Sequence, residues 1–448
     1  MPLGKFLFIF FLNIACLYSD DYTIADLIGK DDQVKEIVNT LLAKNDYQIL
    51  DQNLSIQYKP DLIILTANTN QGKKFLKLHN KGLGAQEYQG AFFLKDYLPV
   101  ITGECLITSN NLDLIVTPYF ETIDQEKGML FDVINLLDPA TLHVANTFWK
   151  HFQDMLLRVL SMTKGSLQYC IKPCLNDRLY FDRLKYKSKH QLSGRLEAFY
   201  ESSIIQLPFL TLPWNELIEK KWIVDGVAYQ ESLRDLIEMA RTCLNPINTR
   251  LISICHGDWH DMNIHVKKSD DHLEEFVLLD CELAGENCVL GDAMVYLVYE
   301  AIQGDYLTPK YHSNQFVNHQ EALKVARENF QLKLRKINAR VDGSTIILKG
   351  IGSFGTGETR RIIAKKFIDN YFEPLIAQCI QAYPQITPDQ IESTIKACFL
   401  MRLLAVYNLS TMEPMDQAKI FGLILKGIGT PVTQPKNKMT LQKILEAL

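Results

Sequence analysis

The sequence is short of the features that would mark a secreted disulfide scaffold, a nucleic-acid surface or a membrane span. Ten cysteines in 448 residues are too sparse for a disulfide framework. Cys170 and Cys174 form an isolated C-x-x-x-C with no second pair at zinc-finger spacing, which argues against metal there. Positive charge is not in excess: 47 Lys and Arg against 52 Asp and Glu leave a net charge of −5, so no global basic field points to nucleic acid. The local basic clusters, Lys185, Lys187, Lys189 and His190, and Arg360, Arg361, Lys365 and Lys366, read as solvated faces. Low-complexity tracts, internal repeats and long linkers are absent. The apolar run from Phe6 to Tyr18 is too short for a comfortable, stable membrane span. With Lys5 before it and Ser19-Asp20-Asp21 after it, residues 1–21 have the shape of a signal-like leader, the competing reading being a buried first helix or a later start.

What is present describes a globular chain with ample core and room for two or three domains or lobes. A helix is expected from Asp31 to Leu42. Leu62–Thr66 and Lys74–Leu78 flank the turn-rich Asn68-Thr69-Asn70-Gln71-Gly72 and read as a hairpin. A helix from Gly84 to Tyr97 and strands at Glu104–Thr108 and Leu112–Pro118 complete a small β-rich region. Beyond Glu121 the pattern turns helical, with strong amphipathic stretches at Thr141–Leu160 and Gln230–Leu244. Helix is expected again past Gly291, and Thr387-Pro388-Asp389-Gln390 reads as a helix start with a capping box.

Two segments carry chemistry. In Ile252 to Val266 an apolar run enters a loop holding Asp258, and Asn263 follows five residues later. Phosphoryl transfer needs a carboxylate to orient the attacking hydroxyl and accept its proton, and an amide oxygen nearby to hold Mg²⁺ on the phosphates. Then Phe276-Val277-Leu278-Leu279 delivers Asp280 to the end of an apolar strand, a place suited to a metal ligand.

Together these residues resemble the aminoglycoside phosphotransferase/choline kinase family, relatives of the protein kinases. The family pattern is H-G-D-x-x-x-x-N, a strand ending in D-x-E, then G-D. This chain has His256-Gly257-Asp258 with Asn263, then Asp280 and Glu282, then Gly291-Asp292. The resemblance implies Asp258 as catalytic base and Asn263 and Asp280 as Mg²⁺ ligands. It implies Glu282 assisting at the metal, His256 bracing the loop and Asp292 anchoring it from the following helix. Tyr296 stands where the family often has a second aspartate. Upstream, Lys77 in Phe75-Leu76-Lys77-Leu78 looks like the phosphate-contacting lysine, with Glu87 at the spacing of its ion-pair partner.

The fold this implies is α+β and protein-kinase-like. It is bilobal, with a small β-rich N-lobe at residues 22–121 and a large helical C-lobe at 122–448. The C-lobe holds the catalytic loop 252–266, the metal segment 276–292 and a C-terminal helical extension. Nucleotide would lie in the cleft, with ATP or GTP as co-substrate. The partner would be a small-molecule acceptor bound by helical insertions within Asn176–Glu238 and beyond Ala301, its identity open. Cytosolic nucleotide, and free thiols at Cys255 and Cys281 beside metal-binding carboxylates, favour the cytoplasm.

Two other readings compete. Gly257-Asp258-Trp259-His260 also resembles the G-D-x-H block of metallophosphoesterases, which would make His260 a metal ligand, but no later Asp/Asn/His block follows. A nucleotide-binding pseudokinase scaffold is opposed by the presence of Lys77, Asp258, Asn263 and Asp280 together. Gly350-Ile351-Gly352-Ser353-Phe354-Gly355 fits G-x-G-x-x-G but lies far from the kinase position. It reads as a flexible turn, with a bound phosphate near Arg360 and Arg361 as the lesser expectation.

Overall fold

Val34, Ile37, Val38, Leu41 and Leu42 recur at helical spacing, and all five are buried on one side of a helix. The computed structural model describes residues 22–50, 54–59, 62–119, 129–136, 146–185, 194–269, 272–311, 320–331, 337–353, 356–433 and 440–447. The leader reading therefore lies outside the described residues, as do Lys187, Lys189 and His190. The chain forms two compact units, Met1–Ile123 with Val277–Ala284, and Asp124–Phe276 with Gly285–Leu448.

The first unit contains helices α1 (Ile24–Leu27), α2 (Asp31–Ala43) and α3 (Leu83–Leu94). Its strands are β1 (Ser55–Lys59), β2 (Leu62–Thr69), β3 (Gly72–Asn80), β4 (Cys105–Thr108) and β5 (Leu112–Pro118). They form one antiparallel sheet in the order β1-β2-β3-β5-β4. Side chains alternate across the pleat, so Ile63, Leu65, Leu76, Leu78, Leu114 and Val116 share one face and pack against α2. Register puts Gln57, Ile64, Lys77 and Ile115 in one row on the opposite face.

The second unit is mainly helical. Its principal helices are α4 (Asn146–Gly165), α5 (Phe181–Leu184), α6 (Arg195–Tyr200), α7 (Leu233–Cys243), α8 (Val289–Val298), α9 (Glu358–Phe367), α10 (Pro388–Leu404) and α11 (Pro414–Ile428). Thr387 Oγ1 accepts the Gln390 N–H and Gln390 Oε1 accepts the Thr387 N–H, a complete capping box at the start of α10. A short sheet of β6 (Gln168–Cys170), β11 (Arg250–Cys255) and β14 (Gly285–Cys288) underlies the loop that carries Asp258.

The expectation of helix throughout the acceptor region and past Gly291 needs correction. β9 (Lys221–Val224), β10 (Val227–Ala228), β15 (Asn338–Asp342) and β16 (Thr345–Lys349) form a four-stranded sheet, with β16 parallel to β9. These strands are too short for a period-two pattern to stand out, but their turns are marked. Asp225-Gly226, both at positive φ, closes a two-residue hairpin, and Gly343 does the same work after Asp342. The glycine-rich segment is likewise a built turn. Asp225 accepts the N–H groups of Gly350, Ile351 and Gly352, so those amides already hold an anion belonging to the protein.

Candidate active site

In the first unit, Lys77 projects from the middle of β3, and α3 crosses the same face. The start of α3 is fixed by Asp113, whose Oδ2 accepts the N–H groups of Gly82 at 2.6 Å and Ala85 at 3.0 Å. One turn on, Glu87 Oε1 lies 2.5 Å from Lys77 Nζ, and its Oε2 lies 3.1 Å from His79 Nε2. Burial alone would lower the Lys77 ammonium, but Glu87 and Asp280 outweigh it and hold the lysine above its ordinary value. Burial would raise the Glu87 carboxyl, but Lys77 and His79 hold it below its ordinary range.

Asp280 belongs to the same unit. Its Oδ1 is 3.8 Å from Lys77 Nζ, and its side chain stays 40% exposed, so a ligand can reach it. Its φ of 58° is in the left-handed region, a conformation that costs an aspartate energy. The segment is held from two sides. The Leu278 N–H donates to Pro99 O, Leu278 O accepts from Ile101 N–H, and Gln86 Nε2 on α3 donates to Glu282 O. Gly90 sits so close that a Cβ there would lie 2.1 Å from Cys281 O. The Glu282 side chain is half-buried.

In the second unit, the loop after β11 turns at Gly257, whose φ is 92°. Asp292 on α8 fixes that turn: its Oδ1 accepts the Gly257 N–H at 2.6 Å, and its backbone oxygen accepts Trp259 Nε1. Burial pushes the Asp292 carboxyl up to about 7, against the Gly257 hydrogen bond, with Asp258 adding to the rise. His256 is buried beneath the loop. Asp258 keeps its side chain 27% exposed, and its backbone oxygen accepts Asn263 Nδ2 at 2.9 Å. That bond orients the amide so that Asn263 Oδ1 remains the acceptor, available to a cation. Tyr296, in place of an aspartate, is fully buried and packs on Trp259 and Phe367.

Sequence reasoning missed the cations around this loop. Arg360, read as part of a solvated face or a phosphate site, is only 1% exposed. It lies 2.7 Å from Asp261 and 3.0 Å from Glu300. Arg402 Nη1 lies 3.6 Å from Asp258 Oδ1. No local pattern could have found either, since Arg360 lies 60 and 99 residues beyond Glu300 and Asp261, and Arg402 lies 144 beyond Asp258. His260 stacks on Tyr299 with centroids 4.4 Å apart, and its Nδ1 accepts the Met262 N–H.

No family model and no curated protein sequence matches the chain. Among solved structures, it is similar to a spectinomycin phosphotransferase bound to ADP and spectinomycin. The identity is 12%, covering 83% of this chain and 93% of that one, with a TM-score of 0.32. A macrolide 2′-phosphotransferase from Brachybacterium faecium matches at 12% identity over 81% of this chain and 97% of that one, TM-score 0.31. An aminoglycoside phosphotransferase bound to AMP-PNP and hygromycin B matches at 8% over 80% and 98%, TM-score 0.36. The similar structures named are thus phosphotransferases. Likeness this loose carries no argument about activity, which rests on the residues.

Proposed function

We propose that the chain is an ATP-dependent phosphotransferase of the aminoglycoside phosphotransferase/choline kinase type, with the hydroxyl of a small molecule as acceptor. The observation that carries this reading is the Lys77 ammonium, held at 2.5 Å by Glu87 and flanked at 3.8 Å by Asp280 from two hundred residues later. A lysine so fixed is a cation aimed at phosphate oxygens, and its companion carboxylate is a metal ligand in waiting. Asp258 takes the proton of the acceptor hydroxyl as that oxygen bonds to the γ-phosphorus. The bond from the γ-phosphorus to the bridging oxygen breaks, and ADP leaves with that electron pair. Asn263 holds the Asp258 loop in register, and Asp292 pins its turn.

Each unit supplies donors of the kind Mg²⁺ takes: the Asp280 carboxylate, open to solvent, and Glu282 in the first, and the Asn263 amide oxygen in the second. When bound, Mg²⁺ supplies charge neutralisation on the β- and γ-phosphates. Catalysis by this chain's own groups is then positioning and electrostatics. We place the protein in the cytoplasm, where ATP is supplied, and among the described residues no helix is long and apolar enough to cross a membrane.

The test is Asp258→Asn, assayed by transfer of labelled phosphate from ATP, or GTP in parallel, into a metabolite library. Nucleotide affinity by calorimetry should persist while transfer falls by roughly 10²–10⁴-fold. Near-normal transfer by this variant would sink the mechanism.

A further inference from the structure

Three arginines gather at the end of α10, and one of them approaches Asp258. Arg402, on α10, is 4% exposed; its Nη1 stands 3.6 Å from Asp258 Oδ1, and its Nη2 donates to Gln303 Oε1 at 3.2 Å. Arg183, on α5, is 5% exposed, and its Nη1 donates to Ala405 O at 3.3 Å. Arg195, on α6, reaches the same carbonyl at 3.4 Å. Burial first, then the neighbouring guanidiniums of Arg195 and Arg402, push Arg183 well below its ordinary value, and Asp258 opposes the shift. Among the described residues, the Nε–H groups of Arg183 and Arg402 and the Oδ1 of Asp258 have no hydrogen-bond partner.

A bland account exists. Ala405 follows the last turn of α10, and cations at a helix C-terminus are favourable. That accounts for one guanidinium, since the helix end carries about half a charge. It leaves a second buried guanidinium at the same helix end, with Arg402 Nη1 3.6 Å from Asp258 and both Nε–H groups unpaired. A buried donor without a partner costs more than an unused one at the surface, and beside a carboxylate that is 27% exposed an incoming anion can reach the cluster. Guanidinium forks fit oxyanions bidentately.

Resting on the phosphotransferase reading, we infer that the acceptor carries an oxyanion, a carboxylate or a phosphate, beside its reactive hydroxyl, and that Arg183 and Arg402 hold it. The oxyanion would pair with the two guanidiniums, leaving Asp258 to the hydroxyl. Polycationic acceptors would meet like charge instead.

The experiment uses the full chain and three variants, Arg183→Gln, Arg402→Gln and Arg402→Lys, each first shown to be folded by circular dichroism. Inorganic phosphate and acetate are titrated by calorimetry, so that the two oxyanion sources are separated. ATP affinity is measured alongside. The expected result is binding of at least one anion, weakened roughly tenfold or more by either glutamine variant. ATP affinity should stay unchanged, and Arg402→Lys should recover part of the loss. In the transfer screen, the acceptor should be an anionic alcohol whose KM rises in both glutamine variants while the KM for ATP holds. A neutral or cationic acceptor, or anion binding equal in all four proteins, overturns the inference and leaves the phosphotransferase reading standing. Anion binding through these arginines in a chain that neither binds ATP nor transfers phosphate overturns the phosphotransferase reading, and with it the inferred acceptor.

Discussion

Lys77 in the first unit and Arg360 in the second are both sequestered cations between two carboxylates. Lys77 is 15% exposed, and one partner, Asp280, is 40% exposed at 3.8 Å. Arg360 is 1% exposed, with Asp261 and Glu300 both at 0% and both within 3.0 Å. The first cluster is closed on one side and open to solvent on the other, as a phosphate-binding role would require. The second is shut off from water. A lysine, a compact charge on a flexible stem, suits the first task, and an arginine fork bridging two acids suits the second. Burial of charge by itself therefore does not mark a ligand site; a partner left partly in water does.

The strongest way to break this contrast is to remove each cation. Arg360→Met removes the guanidinium from buried Asp261 and Glu300, and should cost about 3–5 kcal/mol of stability. Lys77→Met should cost less, because Asp280 already faces water, while ATP affinity drops sharply. Urea denaturation of both variants decides it: if Lys77→Met is the more destabilised, the distinction between open and closed clusters fails.

A smaller effect tests the wall of the first cluster. A Cβ at Gly90 would stand 2.1 Å from Cys281 O, a backbone atom that cannot swing aside. Gly90→Ala should cost about 1–3 kcal/mol and displace the Asp280 segment, weakening Mg²⁺-dependent ATP binding. Unchanged ATP affinity in a folded Gly90→Ala protein would show that α3 does not set the position of Asp280.

The Asp292 turn gives a pH signature. Its carboxyl is raised by burial to about 7, so the folded state keeps a proton that the unfolded chain releases near 3.8. Stability from this group is therefore greatest below about 4, falls as pH rises towards 7, and is level above. Asp292→Asn keeps an oxygen for the Gly257 N–H and removes the titration. The difference in urea midpoint between the two proteins should thus grow from acid to neutral pH in the variant's favour. A constant difference would mean that Asp292 is ionised throughout.

The first unit was the more legible in the sequence, for a physical reason. Its hairpin and α2 are built from local periodicity, with Leu62–Thr69 and Gly72–Asn80 meeting across a two-residue turn. The α+β character followed from that pattern and the helices after it. Of the candidate site, the local spacing was legible: Asp258 and Asn263 do share one loop and a hydrogen bond. The site was illegible where the partner is distant: nothing near Asp261 announces Arg360, and nothing near Asp258 announces Arg183 or Arg402. The β9–β16 sheet was missed because its strands are two to five residues long.

The smallest expected effect is the most discriminating between reaction classes. His260 is two residues from Asp258, yet its ring lies flat against Tyr299 and its Nδ1 accepts the Met262 N–H at 3.3 Å. That is the work of a cap on the short turn Asp261–Asn263, worth about 1 kcal/mol. Under the phosphotransferase reading, His260→Ala should loosen the Asn263 end of the loop slightly and change transfer by no more than about tenfold, against the roughly 10²–10⁴-fold expected of Asp258→Asn. A metallophosphoesterase would instead need the His260 nitrogen on a metal, and would lose nucleotide-independent phosphoester hydrolysis equally in both variants. Assaying both variants for ATP-dependent transfer and for hydrolysis of p-nitrophenyl phosphate separates these outcomes. Equal, complete loss of metal-dependent hydrolysis, with no transfer from ATP in the parent protein, would move Asp258 and His260 from a kinase loop to a hydrolase metal site.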